Sequence, residues 1–472
     1  MNLSKYHSSS FRWLTLLLLL FLVACGGNDG ANSTENAAAT SPSSETSTNR
    51  VTTEVTEPTA PTQLRLGVSL TPQELQSFQA ALTALDEAHP EWEIILETTP
   101  QDGIIEKMNT QIAGNTLPDV VRVQGLQVQQ WVRQNAFLDL TSYITASGLD
   151  LNEFYPGPLA QFEWQKSLWG LPDTAAPDVV FYNKAMFDAA GVAYPTDEWT
   201  FEDMHAAALQ LTLDSAGNNA TSRNFNPDDI VQWGWNGGLT FFWQRHLVRP
   251  FGGDFCANED CTLMSFTSPE TIAAVQWWAD LTSLEHATLY DPYGGSQTGV
   301  PGDPFISGKA AMGLNGFFAV GQLNGMGTID YDVAQPFLGQ DGQRYTPLST
   351  NGYVISANSK FPQEAWELIL ALLEPDFLAQ TWGQPGHSVP ARRAAADSIL
   401  NPAIQPTNQQ AILQAMEYGT VFQPYTASAF ATYGATAEFF TKAMKGEMPV
   451  ADAMAAADTA ANTARAPDRE GQ

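Results

Sequence analysis

Basic residues are scarce in this chain: 21 Lys and Arg face 51 Asp and Glu across 472 residues, a net charge of −30. Such a surface repels phosphate backbones and anionic headgroups, so nucleic acid is excluded as a partner and a bound polyanion is disfavoured. Cysteine is scarcer still, with three residues, and histidine numbers six. The His residues form no i, i+4 pair, and two Cys without nearby His do not complete a zinc shell. No metal and no cofactor is therefore expected. Nothing matches Gly-x-Ser-x-Gly, His-Glu-x-x-His or a phosphate-binding loop, so no catalytic signature is present. Carboxylate pairs are too common in so acidic a chain to mark a glycosidase.

Long apolar runs are also missing, with one exception at the start. Lys5 and Arg12 precede an apolar stretch from Trp13 to Val23. It is too short to span a bilayer of about 30 Å as a mature helix. Residues 1–24 read as a targeting segment that ends in Leu22-Val23-Ala24-Cys25-Gly26. This resembles the bacterial lipobox, whose Cys is acylated after cleavage. Cys25 is accordingly the expected lipidation site, anchoring an extracytoplasmic protein to the cell membrane. Residues 25–63 are nearly all Asn, Ser, Thr, Ala, Glu and Pro. They lack the apolar surface needed to offset chain entropy and read as a disordered tether. In an exported protein the remaining pair, Cys256 and Cys261, reads as one short-loop disulfide.

What is abundant is aromatic: 13 Trp and 25 Phe. Roughly 400 residues follow the tether, too many for one core, which suits two lobes. Leu64, Leu66 and Val68 alternate with Arg65 and Gly67 as a first strand. A helix is predicted from Pro72 to Ala88, a strand from Trp92 to Leu96, a helix from Ile104 to Ile112, and a strand from Val120 to Val123. Strand and helix alternate, so an α/β layer with parallel strands is expected. Later, Ser268-Pro269 opens a helix carrying Ile272, Val275, Trp278 and Leu281, and Pro362 opens another. No repeat of 20–50 residues is evident, which argues against a solenoid.

Several segments together resemble family 1 extracellular solute-binding proteins, the maltose-binding-like group of carbohydrate ABC importers. They are Gly170-Leu171-Pro172, then Phe181-Tyr182-Asn183-Lys184 through Gly191-Val192, then Trp199-Thr200-Phe201-Glu202-Asp203. Phe305 through Gly316, Gly352-Tyr353-Val354-Ile355-Ser356 and the stretch Val450 to Ala461 follow in the family's order. The resemblance implies a two-lobe periplasmic-binding-protein fold, type II-like, each lobe a mostly parallel sheet flanked by helices and joined by a hinge. The expected N-lobe is 64–177 with 352–400, and the C-lobe 178–351 with 401–472. It further implies a monomer that binds a sugar between the lobes, delivers it to importer membrane subunits and catalyses nothing.

A sugar site needs aromatic platforms and planar polar side chains at strand ends. The candidates are Gln124 after the third strand, Asp173 after Gly170-Leu171-Pro172, Trp235 and Asn236 at the end of a later strand, and Trp243 on a following helix. Phe318 stands where relatives often carry a stacking Trp, while Asn351 and Tyr353 lie at the predicted return crossing. Arg392 falls in Val389-Pro390-Ala391-Arg392, where a guanidinium can donate to two hydroxyls. Each also has a plainer role as core, turn former or surface ion pair. Rival readings are a polyamine or other small solute on the same fold, a secreted polysaccharide-acting enzyme, and a ligand-free surface lipoprotein. A ferric cargo is disfavoured, since no Tyr-Tyr pair occurs.

Overall fold

The computed structural model describes residues 60–100, 103–237, 239, 244–258, 260–289, 303–421 and 428–470. The targeting segment, Cys25 and nearly all of the expected tether lie outside them. The first strand is Thr62–Ser69, so it begins two residues inside the stretch assigned to the tether. Backbone pairing is the reason: Thr62 N donates to Glu91 O, and the strand runs parallel to Trp92–Thr99 over its whole length. Leu64, Leu66 and Val68 alternate into one core. The helix Pro72–Ala88 starts with a capping box, Thr71 with Glu74, and Pro at its first position. It buries Phe78, Ala81 and Leu82 on that strand.

The N-lobe sheet continues through Val120–Gln124, parallel to the first strand, and then through Pro347–Ile355 and Leu171–Asn183. Those last two run antiparallel to each other, and Pro347–Ile355 is antiparallel to Val120–Gln124. The 13-residue strand Leu171–Asn183 joins the lobes. Its residues through Pro177 pair with Pro347–Ile355, and from Asp178 onward they pair with Ala310–Gly316 and, from Val180, also with Tyr331–Ala334. In the C-lobe, Ala310–Gly316, Ile230–Asn236 and Thr288–Leu289 are parallel.

Four buried clusters cover the two faces of the two sheets. Val179 and Phe181 enter one C-lobe core while Val180 and Tyr182 enter the other. Tyr353 and Ile355 enter one N-lobe core while Val354 enters the other. This is the period-2 alternation of strands covered by helices on both sides. The result is a two-lobe α/β fold in which parallel strands make up each lobe and antiparallel strands make the crossing.

Two lobe boundaries differ from the expected ones. Pro347–Ile355 lies wholly in the N-lobe sheet, since Leu348 already pairs with Pro177, so the return crossing precedes Pro347 rather than Asn351. Gln410–Tyr418 belongs to the cluster that Val179 and Phe181 enter, which also takes in N-lobe residues. Gln410–Tyr418 packs with Tyr155, Ala175 and Leu348, and Thr420–Val421 pairs with Pro347–Leu348. The chain enters the main C-lobe core only with the helices Ala429–Met444 and Val450–Ala464.

Cys256 and Cys261 are joined in a disulfide with Cα atoms 4.8 Å apart. The loop is tied to the C-terminal helices: Arg465 Nη1 donates to Cys261 O and Arg469 Nη1 to Thr262 O. Among the described residues no helix is long and apolar enough to cross a membrane.

Candidate ligand-binding site

At the carboxyl ends of the N-lobe strands lies a cavity of about 130 Å³, room for about four waters. In an open α/β sheet this is where ligands bind. Ser69 ends the first strand and Gln124 the third, and Asn351 stands opposite Gln124 in register. All three line the cavity, with Glu74, Arg122, Gln127, Trp131 and Met108. The polar groups converge from four separate segments. The buried Ser69 hydroxyl has no partner among the described residues. Trp131 forms an apolar wall, held edge-on to Phe137 and by its Nε1 donating to Asn109 Oδ1 at 3.1 Å.

The strands behind this cavity approach closely. At Gly352 a Cβ would lie 2.6 Å from the Phe162 ring and closer still to Leu171 O, so only glycine fits there. Beside it sits a buried polar cluster. Arg122 Nε donates to Asp173 Oδ2 at 2.6 Å, and Nη2 donates to Asp173 Oδ1 at 3.3 Å and to Thr174 Oγ1 at 2.9 Å. The guanidinium lies 4.1 Å over the Trp382 ring. Although burial itself would lower the Arg122 pKa, the charge and hydrogen bonds of Asp173 raise it, so the cation is secure.

Of the nine residues singled out from sequence, the structure brings Gln124 and Asn351 together in one cavity. Asp173 lies outside the cavity lining: its side chain is fully buried and paired with Arg122. Tyr353 lies outside the cavity lining as well. Its ring is buried in the N-lobe core, and burial together with the Asp173 charge pushes its phenol well above the usual range, keeping it neutral. Arg392 holds Glu153 through Nε (2.8 Å) and Nη2 (2.6 Å) and donates through Nη1 to Leu373 O (3.0 Å), so it staples the N-lobe. Trp235 lies in the C-lobe core, 5.7 Å from Phe337 and 6.3 Å from Trp278 between ring centres. A ring at a strand end turned inward because its register shares the face of Met312.

Asn236 and Phe318 occupy the other lobe. Asn236 ends Ile230–Asn236, and its Nδ2 donates at 3.0 Å to Asp303, a buried carboxylate that also accepts from the N–H groups of Phe305 and Ile306. Phe318 opens the helix Phe318–Met326 just past the carboxyl end of the parallel neighbour Ala310–Gly316 and is half-buried. Trp243 lies outside the described residues.

Sequence reasoning missed Arg122, Glu74, Ser69, Gln127 and Trp131. Arg122 had a legible signal: a charge within Val120-Val121-Arg122-Val123 must be paired or functional. It also missed Asp178, half-buried where the crossing strand changes partners. Burial pushes its carboxyl up to about 7. Among the described residues no group of three or more His, Cys, Asp and Glu gathers as a metal site.

The family model described as bacterial extracellular solute-binding protein matches residues 70–379. A binding protein of Brucella abortus (strain 2308) is 23% identical over 344 residues, 69% of this chain and 75% of the relative. Among solved structures, the ABC substrate-binding protein of Listeria monocytogenes in complex with cycloalternan superposes with a TM-score of 0.70 at 22% identity, covering 85% of this chain and 98% of that one. The cyclic alpha-maltosyl-1,6-maltose binding protein of Arthrobacter globiformis gives 0.71 at 20% identity, covering 86% and 99%. At these identities the structural likeness speaks for the fold, and the family match speaks for membership. The chain belongs to the bacterial extracellular solute-binding protein family.

Proposed function

We propose that this protein is a lipid-anchored, extracytoplasmic carbohydrate-binding protein that closes two lobes on a sugar and presents it to a membrane ABC importer. The observation that carries the reading is the small polar cavity at the carboxyl ends of the N-lobe strands, beside the strands that join the lobes. Its Ser, Gln and Asn side chains both donate and accept, as hydroxyl groups require, and an indole forms part of the wall. Asn236 and Phe318, at the carboxyl end of the C-lobe strands, are the opposing wall in this reading. The sugar-binding proteins of Listeria and Arthrobacter, which share the fold, support the cargo class. Contacts made by both walls at once exist only in the closed form, so the sugar itself shifts the open–closed population. Cys25 is the anchor, and residues 26–61 are the leash between it and the body.

A thermal-shift panel of mono- and oligosaccharides tests the cargo. A true ligand at a hundredfold over its dissociation constant adds about 2.7 kcal/mol of stability. Stabilisation by spermidine and by no sugar transfers the site to a polyamine. Fatty-acid labelling of the full chain, lost in Cys25→Ser, tests the anchor.

A further inference from the structure

Arg122 is the one basic side chain lining the N-lobe cavity, and it is more than nine-tenths buried. Its donors are divided. Nε and Nη2 are taken by Asp173 and Thr174, whereas Nη1 has no partner among the described residues. The Trp382 ring beneath it and the two-point grip of Asp173 fix the guanidinium in one orientation, so little side-chain entropy remains to be lost when it meets a ligand. A protein that needed this pair only for stability would gain nothing from opening it onto a cavity, because a closed apolar replacement is often at least as stable. Across the same cavity stands Glu74. Its Oε2 accepts from Thr71 N at 2.7 Å, and no donor among the described residues reaches Oε1.

We propose that Arg122 is a ligand-contacting residue of this site, that Asp173 is its positioning residue, and that Arg122 with Glu74 selects an uncharged vicinal-diol edge. The inference rests on the carbohydrate reading and specifies it. One hydroxyl of such an edge accepts from Nη1 while its neighbour donates to Glu74 Oε1, and each still has a lone pair or proton for Ser69, Gln127 or Asn351. Charge decides against the alternatives. Arg122, Asp173 and Glu74 together carry one net negative charge, in a chain of net charge −30. A carboxylate entering the cavity would meet Arg122, whose charge Asp173 already balances from behind, but also Glu74. An ammonium would meet Glu74 but also a fixed guanidinium. A neutral diol satisfies both poles at no Coulombic cost.

Isothermal titration of the full chain tests this with cycloalternan, cyclic alpha-maltosyl-1,6-maltose and mannotriose as neutral probes, galacturonate as anion and spermidine as cation. Arg122→Met, Arg122→Lys and Glu74→Gln are compared with the unaltered protein. Arg122→Lys keeps a cation beside Asp173, so it carries the test if Arg122→Met does not fold. The expected result is binding of at least one neutral probe, weakened about tenfold or more by Arg122→Met and severalfold by Arg122→Lys, as loss of a charged hydrogen bond requires. Glu74→Gln is expected to improve galacturonate relative to the neutral probe. A deoxy analogue of the best probe, lacking the hydroxyl that meets Nη1, should bind the unaltered protein about tenfold more weakly and lose nothing further in Arg122→Met, a coupling that a purely structural role would not produce. Neutral binding unchanged in both Arg122 variants overturns this inference and leaves the carbohydrate reading standing. Binding of galacturonate or spermidine alone, or of none of the five probes, overturns both.

Discussion

Replacing Asp173 with Ala removes the counter-charge of a guanidinium that is only 6% exposed, while Asp173 itself is fully buried. The variant loses the contacts at 2.6 and 3.3 Å and keeps those to Thr174 and the Trp382 face. Removing one partner of a buried ion pair costs about 3–5 kcal/mol, because a nearly buried charge is left without its counter-charge. The retained contacts bring the expectation to about 3 kcal/mol, a large share of a stability of about 5–15 kcal/mol. Arg122→Met combined with Asp173→Ala removes both charges, fills the space with an apolar chain, and should recover the loss to within about 1 kcal/mol. Guanidinium unfolding followed by tryptophan fluorescence measures both, with an unchanged slope marking a change in stability alone. A cost below about 1 kcal/mol for Asp173→Ala, or a double variant as unstable as the sum of the single ones, would refute the buried-pair argument.

Asp178 sets a pH dependence. Its carboxyl is held at about 7 in the folded chain against an ordinary 3.8, so the folded state keeps a proton that the unfolded state releases. Stability therefore falls as pH rises from about 4 to 7 and levels off above. Three units set a ceiling of about 4 kcal/mol, and the partial exposure of the group lowers it to about 1–2. Asp178→Asn should flatten this slope in unfolding curves taken across that range, and a slope unchanged by the variant contradicts the assignment. Cys256→Ser opens a loop closed by a sequence separation of 5 and should cost about 2 kcal/mol in calorimetry under oxidising conditions. Gly352→Ala forces a Cβ against Leu171 O and the Phe162 ring; a fall in the unfolding midpoint is expected, and unaltered stability would contradict the close approach.

The N-lobe was legible because its signals are local. Alternation at Leu64, Leu66 and Val68, the helical pattern from Pro72 to Ala88 and the run of Val at 120, 121 and 123 each declare an element within a few residues. The joining strand was legible through the segment Gly170 to Asn183. What sequence does not carry is which way a strand-end side chain turns and what waits for it. Asp173 looks like a ligand group until Arg122, 51 positions earlier, folds against it. Arg392 is captured by Glu153 from 239 positions away. Trp235 and a cleft tryptophan are indistinguishable as letters; the register with Met312 sends this one into the core. Arg122 was the readable exception, a charge in an apolar strand.

The central claim is that two lobes close over a sugar. Small-angle X-ray scattering of the full chain, with and without a saturating amount of the neutral sugar that binds best in titration, tests it directly. The radius of gyration should contract on addition of sugar and stay unchanged with a sugar that does not bind. A saturated protein whose scattering curve superposes on that of the empty one would contradict the account.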